Sequence, residues 1–69
     1  MSKTFKMVTI VGTSTESYED AMRNGVTDAG RSLRNLAWFE VQELRGRIDS
    51  GEIAEFQVKM QVGLKVETD

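Results

Sequence analysis

The stretch Ala54-Glu55-Phe56-Gln57-Val58-Lys59-Met60-Gln61-Val62-Gly63-Leu64-Lys65-Val66 decides the fold. Its even-numbered positions are all apolar and its odd-numbered positions are polar or glycine. Successive side chains on a strand point to opposite faces, so the pattern predicts a β-strand with one dry face and one wet face. The alternation runs about twice the usual strand length. The expected sheet is therefore either long and strongly curved or continued beyond its own subunit.

Upstream, Asp49-Ser50-Gly51 is turn chemistry, with Gly51 able to take a positive φ. It predicts a hairpin back to a second strand spanning about Ala37 to Ile48. Phe39 and Val41 hold one phase in that strand, whereas Leu44, Gly46 and Ile48 hold the other. The register is expected to slip near Gln42-Glu43 through a bulge or bend. Phase also places Trp38, the only tryptophan, on the polar face with Glu40 and Gln42, away from Phe39 and Val41. An aromatic surface of that size on a polar face calls for a cover, either another subunit or a flat ligand.

The N-terminal half reads as a strand and a helix. Thr4 to Val11 alternates weakly and is apolar on much of both faces, which predicts a strand that is central in the sheet or covered by a neighbour. A polar turn, Thr13 to Ser17, follows, and Ser17 with Asp20 three positions later matches the logic of a helix N-cap. Met22, Val26, Ala29, Leu33 and Leu36 then form one apolar stripe on a helix of about 18 residues. Asn24-Gly25 is a competing turn signal. The line of small residues Ala21, Gly25 and Ala29 accounts for that glycine by close approach of the helix to the sheet or to another helix. The order is β-α-β-β, an α+β fold in a single domain over residues 1–69. One helix is expected on one face of a three-stranded antiparallel sheet, with Trp38 and the glutamines on the open face.

Composition narrows the function. A chain of 69 residues has a small core, since a monomer of this size buries only about 60% of the surface its unfolded chain exposes. There is no cysteine and no histidine, so disulfides and thiolate zinc sites are excluded, as are Cys-His and Ser-His catalytic pairs within one chain. Oligomerisation is the remaining common source of stability, and the chain is expected not to be an enzyme. The net charge of −2 argues against general affinity for nucleic acid or anionic lipid, and no apolar run approaches the roughly 20 residues that cross a bilayer. No positively charged start precedes an apolar run, and the expected location is the cytoplasm. Glu40 and Glu43 read as solvated strand carboxylates, and Gly12 to Ser17 lacks the lysine and spacing of a phosphate loop.

The candidate binding residues lie on the open face. Trp38 offers an indole for a flat ring, Gln57 a primary amide with a donor-acceptor edge, and Arg45 and Arg47 guanidinium groups for a phosphate. Together they suit a planar anionic ligand. The plainer alternative makes Trp38 a subunit contact, Gln57 ordinary strand surface, and the arginines cross-strand partners of Glu55 or another acid.

The chain resembles the dodecins, small flavin-binding proteins. The resemblance rests on Val11-Gly12-Thr13-Ser14, the single helix, Trp38-Phe39-Glu40-Val41, Arg45-Gly46, Phe56-Gln57-Val58 and Val62-Gly63-Leu64. It implies a sheet wrapped around its helix and twelve subunits in a hollow shell, with flavins bound in pairs at two-fold axes between two copies of the tryptophan. Carried over by position, it implies that Trp38 stacks on the isoalloxazine ring and Gln57 hydrogen-bonds its pyrimidine edge. Arg45 then favours FMN over riboflavin, with Arg47 and Lys65 as further cofactor contacts, and coenzyme A is a possible second ligand of the shell. The role implied is flavin storage with quenching of its photochemistry. The alternative from another class is a structural homo-oligomer in which Trp38 is assembly surface and no cofactor binds.

Overall fold

A computed structural model describes residues 2–67. The elements are β1 (Phe5–Ser14), α1 (Tyr18–Ser32), β2 (Leu36–Asp49) and β3 (Glu52–Lys65), and the antiparallel sheet has the order β1-β3-β2. The strand with the cleanest alternation is thus the central one. β1 is an edge strand, contrary to the central position its two apolar faces allowed. Its second apolar row, Phe5, Met7 and Val11, lies on the open face of the sheet and is exposed.

Ser17 caps α1 in an extended conformation, and its Oγ accepts a hydrogen bond from the Asp20 backbone N–H at 3.0 Å. Next to it the buried Ser14 donates to Asp20 Oδ2 at 2.6 Å and accepts from the Glu16 backbone N–H at 2.9 Å, which ties the end of β1 to the first helical turn. The helix is shorter than its stripe predicts. Leu33 is already extended, with φ −114° and ψ 148°, and Asn35 turns the chain in the left-handed region at φ 61°, which asparagine tolerates. Leu36 therefore belongs to β2.

The helix rests on its small residues. Ala21, Gly25 and Ala29 are its buried positions, while Met22 and Val26 flank them half-buried. Gly25 crosses Gly12 of β1 so closely that a Cβ on Gly12 would come within 3.1 Å of the Gly25 Cα and closer still to the Ala21 carbonyl oxygen. No side chain fits between the two backbones, which is the reason for both glycines. Beneath α1, Ala21, Val58 and Met60 form the core, with Ile10, Tyr18, Met22 and Phe56 packed around it.

That core covers only part of the sheet. α1 packs on β1 and β3, whereas every residue of β2 after Leu36 is exposed. Phe39, Val41 and Leu44 point to the helix side, opposite Val62, Met60 and Val58, yet they lie beyond the reach of the helix and are exposed. The phase assigned to Phe39 and Val41 is correct, but the core they face does not extend to them within one chain. β2 and β3 meet in a two-residue turn in which Ser50 (φ 51°) and Gly51 (φ 79°) both take positive φ, the combination that suits the twist of a tight hairpin.

Candidate functional site

The open face is laid out by irregularities in the β2–β3 register. Shifts fall between Leu36 and Trp38, between Val41 and Glu43, and between Arg47 and Ile48. The second is the slip expected near Gln42-Glu43. It has a direct consequence: Trp38 and Glu40 lie on the open face before it, opposite Gly63 and Gln61, and Glu43, Arg45 and Arg47 lie on the same face after it, opposite Lys59, Gln57 and Glu55. Without the extra residue, the arginines would project to the helix side.

Trp38 lies flat on its cross-strand neighbour. A Cβ added to Gly63 would meet three atoms of the indole at 2.7–2.8 Å, so the ring occupies the space a side chain would need. Phe5 packs against the indole in a T-shaped pair, with centroids 4.8 Å apart and an interplanar angle of 71°. The indole N–H donates to Glu40 Oε2 at 3.2 Å. With the indole against Gly63 and Phe5 and its only donor engaged, Trp38 remains 40% exposed. That combination holds a large aromatic side chain in place while leaving it partly open to solvent.

Gln57 sits in a separate polar chain. Its Oε1 accepts from Arg45 Nε at 3.1 Å and its Nε2 donates to Glu55 Oε1 at 2.9 Å. Arg45 also donates to Glu43 Oε1 at 3.4 Å, and the other oxygen of Glu43 lies 3.9 Å from Lys59 Nζ. Arg47 is opposite Glu55 in the register, the cross-strand placement considered from sequence. Lys65 lies at the other end of β3, opposite Phe5 and two residues beyond the Gly63 that carries Trp38.

The five candidate residues thus form two groups, Gln57 with Arg45 and Arg47, and Trp38 with Lys65. Six residues of β3 separate Gln57 from Gly63, about 20 Å at the usual rise of about 3.3 Å per residue. Between the groups, Gln61 donates to Thr9 Oγ1 at 2.6 Å. On the opposite, helix side, a groove of about 500 Å³ is lined by Glu19, Met22, Arg23, Val26, Thr27 and Phe39. Through Phe39 it lies behind Trp38, on the other face of the sheet.

Comparison with known proteins identifies the family. The dodecin family model matches residues 4–67. The chain belongs to the dodecin family. It is 43% identical over 67 residues, 97% of each sequence, to the dodecin of Thermus thermophilus. The dodecin structure from Streptomyces davaonensis superposes with a TM-score of 0.93 at 44% identity, covering 99% of this chain and 100% of that one. A calcium dodecin from Mycobacterium tuberculosis, with a calcium-binding site of its own, matches with a TM-score of 0.81 at 30% identity over 96% of this chain and 94% of that one. In this dodecin no group of three or more acidic residues suited to hold a metal occurs among the described residues. None of its described helices is long and apolar enough to cross a membrane.

Several residues that shape the site in this dodecin carry little sequence signal. Gly63 reads as a wet-face position of β3, and only its register partner reveals it as the seat of the indole. Phe5 shares a strand face with Met7 and Val11, a parity visible in sequence, but its contact with Trp38 bridges two strands that are not neighbours in the sheet. Glu55, considered from sequence as a partner of the arginines, accepts from Gln57, and the half-exposed Glu43 pairs with Arg45.

Proposed function

We propose that this chain is a non-catalytic flavin-storage protein that holds FMN, or riboflavin, in pairs between subunits of a homododecamer and quenches its photochemistry through Trp38. The observation that carries this reading is the indole itself, laid on Gly63, steadied by Phe5 and Glu40, in a tryptophan that remains 40% exposed. An aromatic surface prepared in this way fits a flat ring. Gln57 retains an unused N–H and an unused lone pair after its two contacts, which fits a pyrimidine edge. Because these two groups are about 20 Å apart along β3, a ligand touching both takes them from different copies of the chain.

An isoalloxazine ring, when bound, supplies the absorbing chromophore. Trp38 would hold that ring by stacking and would serve as the electron donor through which its excitation is lost without light emission or net chemistry. Arg45, Arg47 and Lys65 serve the phosphate of FMN, with Arg45 already partly neutralised by Glu43 and Lys65 placed beside the Trp38 seat. The same cationic groups suit the phosphates of coenzyme A as a second ligand. The uncovered apolar row of β2 supports self-assembly, and the lack of histidine and cysteine supports a binding rather than a catalytic role. Residues 1–69 act as one domain, in the cytoplasm, with no nucleic-acid or membrane partner.

The test is a titration of FMN into the purified apo-protein, followed by flavin fluorescence. Emission is expected to fall to near zero at saturation with the native chain. It should remain substantial when Trp38→Ala is saturated. Unquenched emission with the native chain, or equal quenching by the variant, would rule out the role given to the indole.

A further inference from the structure

Gln57 is a half-buried amide that makes two hydrogen bonds of fixed sense. Its oxygen accepts from the Arg45 guanidinium at 3.1 Å, and its nitrogen donates to the Glu55 carboxylate at 2.9 Å. Turning the amide over would set its oxygen against a carboxylate and its NH₂ against a guanidinium, replacing two charge-assisted bonds by two repulsive contacts. Glu55 and Arg45 therefore hold the side chain in one orientation from opposite ends. Glu55 sits two residues from Gln57 on the same strand face, and Arg45 sits directly across on β2.

An amide can donate twice and accept twice. Once Arg45 and Glu55 are served, Gln57 keeps one N–H and one oxygen lone pair, a donor beside an acceptor. A cyclic imide presents the matching pair, a ring N–H beside a carbonyl oxygen. We infer that Glu55 is a positioning residue that fixes the free edge of the Gln57 amide so that it reads the imide edge of the ligand in one sense only. This inference rests on the flavin reading above, and it names the part of the ring that is read and the carboxylate that sets the reader.

The chemistry separates the contribution of Glu55 from general support of the strand. A flavin methylated at its imide nitrogen has no ring N–H to donate, so it cannot form the two-point contact whatever the orientation of Gln57. Riboflavin and this N-methyl analogue are titrated into the assembled native protein and into Glu55→Ala, with gel filtration confirming equal assembly. Glu55→Ala is expected to weaken riboflavin about five- to tenfold, within the range of one ordinary net hydrogen bond, because the ligand contact it supports is between neutral groups. The N-methyl analogue should bind both proteins equally and weakly. Glu55→Gln, whose side-chain oxygen can accept the same bond, should recover most of the riboflavin affinity. If Glu55→Ala does not assemble, Glu55→Thr, too short to reach Gln57 and compatible with a strand, takes its place with the same expectations.

Unchanged riboflavin affinity in the variant, or an equal loss for both ligands, overturns the role of Glu55 while leaving the flavin reading standing. Failure of the native protein to bind riboflavin at all overturns the flavin reading and this inference with it.

Discussion

The two halves of the sheet differ in what they have to cover them. β1 and β3 carry α1, and at their centre Ala21, Val58 and Met60 are fully excluded from solvent. β2 carries apolar side chains of the same kind on the same side of the sheet, yet Leu44 is 55% and Ile48 72% exposed. Sequence hydrophobicity does not distinguish the halves. What distinguishes them is the helix, which is narrow, ends at Ser32, and is pulled tight against β1 by the Gly12–Gly25 crossing. One half of the sheet is covered within the chain, and the other half is left uncovered by it.

The sharpest test of this contrast is to part the helix from its seat. Gly12→Val places a branched side chain where only backbone fits and is expected to cost more than about 3 kcal/mol, since there is no flexible neighbour to yield. For so small a domain that is loss of the folded state, read as loss of helical circular dichroism and of the cooperative urea transition. Next in size is Leu44→Asp on β2. Its expected effect is dissociation of the oligomer in gel filtration with the helical signal largely retained, because the core under α1 does not include Leu44. Coincident loss of helix and assembly would break the contrast.

A smaller effect is expected at the junction of β1 and the helix. Ser17→Ala removes the acceptor of the Asp20 N–H and should lower stability by about 1 kcal/mol, measured as a shift of the urea midpoint. Smallest is Arg23→Ala. Its pairing with Glu19 at 2.9 Å joins two side chains that are both largely exposed, and the loss should stay below about 0.5 kcal/mol. A larger change at Arg23 would mean that the groove beside it, which it lines with Met22 and Phe39, is filled in the assembled protein.

Much of the fold is legible in the sequence because it follows from period. The alternation of β3, the phase change across Gln42-Glu43, the Ser17 cap and the Ser50-Gly51 turn are local signals, and each reappears as a structural element or irregularity. The position of β1 is not local. A strand apolar on both faces looks central, but β1 is an edge strand whose second row lies on the open face, and nothing in Thr4 to Val11 distinguishes the two cases. The end of the helix was concealed for a related reason. Leu33 and Leu36 continue the helical spacing by coincidence, and the left-handed Asn35 between them overrides it.

The site was legible in its chemistry and not in its distances. Trp38 and Gln57 stand out by residue type on a wet face, and the register bears out that both lie there. That Trp38 is seated on Gly63, six positions along β3 from Gln57, depends on pairing, as does the identity of the residues that steady them. Gly63, Phe5, Glu40 and Glu55 are ordinary in sequence because their work is set by cross-strand neighbours and by contacts two residues away on the same face.

The length of β3 has a genetic consequence under the proposed shared site. Each chain lends its tryptophan to one ligand and its glutamine to another, so the two defects belong to different partners. Co-expressing subunits that lack only Trp38 with subunits that lack only Gln57 should regenerate some intact sites in mixed shells, although neither variant forms one alone. The two mutant alleles would complement each other within a single gene.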